Sequence, residues 1–291
     1  MITFGQLGKY GRLGNQLFQY AILVAISNEK GYVIKIPNLN DNYWHGQKCL
    51  LNNFNLSAKT IDKNDVIEHN YYESNGLNSN LENYCYNPKV FDVLDNTNIH
   101  GFFQNYQYYK NCEDILLKEL MPKEEIVQRN IETINKIKSK YVGYEIVSLH
   151  LRRGDTKLDM YGNDLNNLDV DSKWYKYFIR SKKMFTGRKV KFFVFTGGKH
   201  VENDNDDYSW CKRNLNGDEF IYFDYDKNVI NDFTLMLLSD HHILSPISTL
   251  SWWVGFLDKR KVNKITIAPK KYFFLEKDLG NGFYPDNFIL I

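Results

Sequence analysis

The stretch Glu145-Ile-Val-Ser-Leu-His-Leu-Arg-Arg-Gly-Asp155 decides how the chain is read. Residues 146–151 form a near-continuous apolar run, the pattern of a strand buried on both faces of a parallel sheet. The run ends in an imidazole, two adjacent guanidiniums, a glycine and a carboxylate: His150, Arg152, Arg153, Gly154 and Asp155. Two cations at the end of a buried strand are costly unless an anion meets them. In open α/β sheets, ligands sit beyond the carboxyl ends of the strands. The planar fork of arginine suits phosphate, through paired charge-assisted hydrogen bonds. The alternative for Arg152 and Arg153 is a surface ion pair with a carboxylate such as Asp155 or Asp159.

Outward from that strand, the second half alternates strand and helix as a parallel sheet with crossover helices does. A helix is expected over 172–185 and a strand over 191–196, then a polar segment carrying Asp206-Asp207 before a short helix near Trp210. Further strands are expected at 220–223, 243–245 and 265–268, with a helix at 232–239. The strand at 243–245 opens into Pro246-Ile-Ser-Thr-Leu-Ser-Trp-Trp253, which puts Ser248, Thr249 and Ser251 at capping positions of a following helix. Such a helix start presents free amides and positive dipole to an anion. Trp252 and Trp253 are read as core, since apolar residues on helices usually pack.

The first half opens with a short strand at 2–4, then Gly8-Lys-Tyr-Gly-Arg-Leu-Gly-Asn-Gln-Leu-Phe-Gln-Tyr-Ala21, then a helix over 22–30 stopped by Gly31. Strand, glycine-rich turn and helix can hold an anion, although neither the P-loop lysine nor the Rossmann glycine spacing is present. Glycines serving a tight turn are the plain alternative. They leave the polar triplet Gly14-Asn15-Gln16 unexplained. A strand is expected at 33–36, a loop-rich stretch over 38–97, a strand and turn over 99–109, and helices at 115–120 and 126–137. The charged segment ending in Gly143 marks the expected boundary between domains 1–142 and 143–291.

Composition narrows the partners. A net charge of +2 over 291 residues gives no global basic field, which argues against a nucleic-acid binder. The 21 Tyr and 19 Phe suit stacking on sugar rings, though most belong in a core. Four scattered cysteines, without metal spacing, read as reduced thiols of a cytoplasmic protein. No apolar run approaches the roughly 20 residues needed to span a bilayer, and the start has no basic or long apolar leader.

Three blocks, Gly11-Arg-Leu-Gly-Asn-Gln-Leu-Phe-Gln-Tyr-Ala21, His150-Leu-Arg-Arg-Gly-Asp155 and Ser248-Thr-Leu-Ser-Trp-Trp253, resemble the signature blocks of the α-1,2-fucosyltransferases, family 11 of the glycosyltransferases. Gly101-Phe-Phe-Gln-Asn-Tyr106, Asp206-Asp-Tyr-Ser-Trp-Cys-Lys212 and Ile267-Ala-Pro-Lys-Lys271 are similar to weaker blocks of that family, in the same order. The resemblance implies an α/β, GT-B-like architecture: two Rossmann-like domains with parallel sheets facing an interdomain cleft, the nucleotide sugar held by the C-terminal one. It implies GDP-fucose as donor substrate and an inverting, metal-independent transfer to O2 of a terminal galactose, with no cofactor. Carried over to this sequence, Arg152 clamps the pyrophosphate with Arg153 in support, and His150 faces the guanine or its ribose. Asp206 or Asp207 reads the guanine edge, and Ser248, Thr249 and Ser251 hold phosphate oxygens. Arg12, Gly14, Asn15 and Gln16 approach the donor from the first domain. A general base is expected of an inverting reaction; Asp155 and Asp159 lie near the right loop, with Asp155 read as orienting the arginines or capping the turn. The lack of an anchor resembles the bacterial members, cytoplasmic proteins in peripheral contact with a lipid-linked acceptor, as in O-antigen biosynthesis at the membrane.

Two departures stand out: Ile247 occupies the position before Ser-Thr where the family has Asn, and 197–205 reads as an insertion. Two rival readings remain at this stage. One is a metal-dependent glycosyltransferase using an Asp-x-Asp pair, at Asp169-Val-Asp171, Asp204-Asn-Asp206 or Asp224-Tyr-Asp226. The other is a non-catalytic carbohydrate-binding protein, which would have no use for arginines and hydroxyls aimed at phosphate.

Overall fold

The computed structural model describes residues 1–41, 43–44, 47–73, 85–152, 173–197, 204–246, 248–258, 263–270 and 282–291. The chain divides into two compact units, Met1–Glu124 with Leu279–Asp286, and Glu125–Asp278 with Asn287–Ile291. The division falls between Glu124 and Glu125, one residue into the helix at 124–140, whereas the sequence suggested 142/143. That helix is tied to the second unit by polar contacts distant in sequence. Asn130 Nδ2–H donates to Asn231 Oδ1 at 3.0 Å, and Lys138 Nζ donates to Asp240 Oδ1 at 2.8 Å.

The first unit contains β1 (Ile2–Thr3), α1 (Leu13–Lys30), β2 (Lys35–Ile36), β3 (Tyr43–Trp44), β4 (Gln47–Lys48), β5 (Lys59–Thr60), β6 (His69–Tyr72), β7 (Thr97–His100) and α2 (Glu113–Glu119). Its main sheet is parallel, in the order β1-β7-β6. Helix α1 starts nine residues earlier than the apolar run suggested, so Gly14, Asn15 and Gln16 belong to its first turn. From Gln16 to Ile26 every residue of α1 is buried, which makes it the central helix of this unit. It ends at Gly31, whose φ of 73° is the left-handed cap that glycine adopts at least cost. The expected loop-rich stretch over 38–97 holds three short strands and β6, so only part of it is loop.

The second unit contains α3 (Glu124–Lys140), β8 (Glu145–Arg152), α4 (Lys173–Lys183), β9 (Val190–Gly197), α5 (Asp204–Asn214), β10 (Phe220–Ile221), α6 (Val229–Leu238), β11 (His241–Ile243), α7 (Thr249–Leu257), β12 (Thr266–Ala268) and β13 (Ile289–Leu290). All six strands run parallel, in the order β10-β9-β8-β11-β12-β13. Renumbered from β8, this is 3-2-1-4-5-6, the order of a Rossmann sheet. The chain winds outward one way from β8 through β10 and then the other way from β11. The crevice at such a reversal, between β8 and β11, is where ligands bind in doubly wound sheets.

Strand β8 is buried over Ile146–Leu151, as its apolar run requires. Val147, Leu149 and Leu151 join Tyr177, Phe178, Phe192, Val194 and Cys211 in one core. Alternation sends Ser148, His150 and Arg152 to the other face.

Candidate functional site

Parallel registry sets the site. β11 pairs with β8 through His241↔Val147, His242↔Ser148 and Ile243↔Leu149, so the residues after Ile243 run beside the end of β8. There Arg152 N–H donates to Ser245 Oγ at 2.9 Å, stitching the tip of β8 to the turn that leads into α7. That turn is held from behind by α4, where the Tyr177 hydroxyl lies 2.8 Å from Leu244 O and 3.2 Å from Ile267 O. Ser248 is the N-cap of α7, its Oγ accepting from Ser251 N–H at 3.3 Å. The guanidinium-bearing strand end and the helix start are therefore neighbours at the point where the strand order reverses. Ser245 was not picked out as a site residue; its position just before Pro246, at the end of an apolar strand, is the only local sign of it.

Helix α7 is fixed at its far end as well. Its C-cap Asp258 accepts from His242 Nε2 at 2.9 Å and pairs with Lys264, and His242 Nδ1 lies 2.6 Å from Ser148 Oγ. Ser148, His242 and Asp258 are residue types of a hydrolytic triad. At 2%, 0% and 3% exposure they meet no substrate, so they bolt α7 to β11 and β8. Trp252 and Trp253 are buried in the core, as read from the sequence.

His150 lies one step back from Arg152 on the same face of β8 and is 7% exposed. Among the described residues its Nδ1 has no hydrogen-bond partner. Burial pushes the imidazole down to about 3, with the charge of Arg152 adding to the effect. It is therefore neutral in the folded protein, able to accept at one nitrogen and donate at the other. A stability consequence follows. The unfolded chain holds an ordinary histidine near 6.5 and takes up a proton that the folded one refuses. Stability is thus lost as pH falls below about 6.5, by about 1.4 kcal/mol per pH unit, until the folded group itself titrates. His150→Gln is expected to remove this loss. In urea unfolding, the stability difference between the two proteins should shift by about 2 kcal/mol between pH 7 and pH 5 in the variant's favour. A pH-independent difference would show that His150 is not held as a buried neutral imidazole.

Not every expected site residue presents itself to a ligand. Ser251 is fully buried and its hydroxyl donates to Ser248 O at 3.2 Å, so it braces the turn rather than holding phosphate. Thr249 is half-buried at the first position of α7. Asp207 is 1% exposed in the first turn of α5, which starts at the same edge of the sheet because it follows β9. Arg153 and Asp155 lie outside the described residues, as do Asp159, Asp169 and Asp171. The side chains of Asp204 and Asp206 also lie outside them. Of the remaining Asp-x-Asp pair, Asp226 Oδ2 accepts from Asn228 and Asn231, which assigns it to the start of α6.

In the first unit the glycine-rich block is a braced loop. Gly11 has φ 77°, and a Cβ there would lie 2.3 Å from Asn15 Nδ2, so both conformation and space demand glycine. Gln19 Nε2–H donates to Tyr10 O at 2.9 Å and Gln16 Nε2–H to Gly11 O at 3.3 Å. Gln16 Oε1 accepts from Leu50 N–H at 3.1 Å. Gln16 is 2% exposed with both ends of its amide engaged, so its hydrogen bonds shape the loop. Gly14 is buried, whereas Arg12 and Asn15 are half-buried. Asn15 Oδ1 accepts from Gln104 Nε2–H at 3.0 Å. Gln104, the amide of the aromatic-Gln block, thus orients the Asn of the first block.

Among the described residues no helix is long and apolar enough to cross a membrane. The profile of Glycosyl transferase family 11 matches residues 6–278. The chain is 25% identical to the alpha-1,2-colitosyltransferase of Escherichia coli, over 94% of this chain and 93% of that protein. Among solved structures it is similar to NodZ alpha-1,6-fucosyltransferase co-crystallised with GDP, at a TM-score of 0.51 and 13% identity over 92% of this chain and 94% of the other. The fucosyltransferase NodZ from Bradyrhizobium gives a TM-score of 0.50 at 14% identity over 92% and 94%. POFUT1 in complex with GDP-fucose gives 0.50 at 12% over 91% and 97%. At those identities the likeness is one of fold, and the fold is α/β and GT-B-like. With a family profile spanning nearly its whole length, three signature blocks in order and a Rossmann sheet whose switch point carries two of them, the chain belongs to glycosyl transferase family 11.

Proposed function

We propose that this glycosyltransferase moves L-fucose from GDP-fucose to O2 of a terminal galactose of a glycan, with inversion at the sugar carbon and without a metal ion. The observation that supports the donor half is the hydrogen bond from Arg152 N–H to Ser245 Oγ, which ties the end of the arginine-bearing strand to the turn that leads into the Ser248 helix start. As the bond from C1 of fucose to the diphosphate breaks, negative charge builds on the β-phosphate. Fixed donors aimed at that oxygen stabilise the transition state more than the ground state. Arg152 supplies a charge-assisted fork and the first amides of α7 supply dipole and free N–H groups. Together they fill the electrostatic role of a divalent cation. The unpartnered Nδ1 of the neutral, buried His150 imidazole is a candidate contact for the nucleoside side of the ligand. Asp207 is a further donor-binding candidate in the second unit, and Arg12, Gly14 and Asn15 are the ligand-binding candidates of the first. Arg153 supports Arg152, with Asp155 orienting the pair.

The Escherichia coli relative is a colitosyltransferase, and this supports a second reading in which the transferred sugar is colitose on the same acceptor position. The deciding experiment incubates the protein with GDP-fucose and GDP-colitose against a panel of β-galactosides in excess EDTA, following released GDP and the new linkage. Transfer of fucose to galactose O2 that survives EDTA is expected. Dependence on added metal, or GDP release with no glycan product, would count against the reading.

Ser248→Asp separates cap from ligand contact. Aspartate caps a helix as well as serine does, so stability should change by less than about 1 kcal/mol. A carboxylate placed against a diphosphate should weaken GDP binding more than about tenfold in calorimetry. Unchanged GDP affinity would confine Ser248 to capping.

A further inference from the structure

The main sheet of the first unit carries an exposed row of side chains that none of the motifs includes. β6 and β7 pair in parallel with Asn70↔Asn98 and Tyr72↔His100, which brings these four residues onto one face at the carboxyl end of the strands. On the opposite face Thr97 and Ile99 are buried. Parallel sheets ordinarily have both faces covered. Here Tyr72 is 65% exposed, Asn70 is exposed, and Asn98 and His100 are half-buried.

The row is held in a fixed shape. The Tyr72 ring stacks on His100 with centroids 4.4 Å apart and planes 11° from parallel. Asn98 Nδ2 lies 2.9 Å from His100 Nε2 and 3.2 Å from Asn70 Oδ1, while Asn98 Oδ1 accepts from Gly5 N–H at 2.8 Å. That last bond makes the row continuous with the loop leading into the glycine-rich block. Beneath it, Glu73 accepts from Phe102 N–H at 2.7 Å and Phe103 N–H at 3.1 Å, and so fixes the turns that follow both strands. Burial lowers His100 below the usual imidazole range, which favours its neutral ring. A row with one exposed aromatic ring, a line of amides and no Lys or Arg offers no cation to a phosphate or carboxylate. It complements a neutral polyol, whose C–H face lies on the ring while its hydroxyls exchange hydrogen bonds with amide and imidazole groups.

We propose that Tyr72, His100, Asn70 and Asn98 form a saccharide subsite that takes one neutral pyranose ring of the glycan acceptor on the open Tyr72 face. The word acceptor rests on the glycosyl-transfer reading above; the binding of a neutral saccharide does not. The test uses the full chain without nucleotide and lactose as the probe, in saturation-transfer NMR. Lactose ring protons should be saturated by the wild-type protein. The signal should fall at least fivefold in Tyr72→Ala and about twofold in Asn70→Ala, with melting temperature and calorimetric GDP affinity unchanged in both. Undiminished saturation in Tyr72→Ala, or none by the wild type with either lactose or N-acetyllactosamine, would overturn the subsite. So would a dimer in sedimentation velocity that Tyr72→Ala dissociates, since the face would then belong to a second copy of the chain. Lactose binding with no GDP binding would instead remove the donor reading and leave the subsite standing.

Discussion

Arg152→Ala is expected to yield a folded protein that turns over about a hundredfold more slowly. The figure follows from losing one charge-assisted donor aimed at developing negative charge, on the order of 3 kcal/mol in the barrier. The strand itself should survive, because Arg152 is its last residue, its side chain is half-buried, and its hydrogen bond to Ser245 comes from the backbone. Alanine keeps that bond. Steady-state kinetics with GDP-fucose should therefore show kcat falling further than KM rises, since the contact strengthens as the diphosphate leaves. Arg152→Lys should recover only part of the loss, because an ammonium cannot reproduce the paired geometry of the guanidinium. Turnover within threefold of wild type in Arg152→Ala would take this residue out of the mechanism.

Trp253→Ala carries the largest expected effect on stability. The ring is fully buried, edge-on to Trp252 at 5.0 Å and to Phe256 at 5.2 Å. On the same helix, a Cβ at Gly255 would lie 2.6 Å from the Phe288 ring, so α7 is packed without slack and cannot slide into a void. Truncating a buried aromatic in such surroundings costs about 3–5 kcal/mol. Chemical denaturation followed by tryptophan fluorescence should show that loss in the transition of the second unit, with Trp253→Phe recovering more than half. Since α7 carries the Ser248 N-cap, GDP affinity should fall along with stability. A loss below about 1 kcal/mol would mean that α7 is seated by its polar bolt through Asp258 and His242 rather than by its aromatic face.

How much of this could be read without coordinates depended on whether a signal was local. Of the six parallel strands of the second unit, β8, β9, β10 and β12 coincide with apolar runs, whereas β11 at His241–Ile243 starts two residues before the expected 243–245 because two histidines open it, and β13 was not expected. The Ser248 cap was equally legible, because capping follows from the order strand, proline, hydroxyl, helix. The start of α1 at Leu13 was hidden by Gly14, a poor helix former that is accommodated because burial of the whole helix outweighs its local cost. The assignment of α3 to the second unit rests on Asn130 with Asn231 and Lys138 with Asp240, partners about a hundred residues apart that leave no trace in either neighbourhood. β6 was missed because His69-Asn-Tyr-Tyr72 lacks an apolar face, the same property that leaves its Tyr72 available to a ligand. Gln16 illustrates a different limit. An amide in a polar motif looks the same whether it meets a ligand or a loop carbonyl, and only the position of Gly11 O distinguishes the two.

In the proposed mechanism a diphosphate is gripped where the strand order reverses, by Arg152 on one side and the start of α7 on the other. Calorimetric titration of the wild-type protein and of Arg152→Ala with GDP and with GMP tests it most directly. Wild type should bind GDP at least tenfold more tightly than GMP, and this preference should disappear in Arg152→Ala while GMP affinity changes little. Equal affinities for GDP and GMP in the wild type, or a GDP preference that survives loss of the guanidinium, would contradict it.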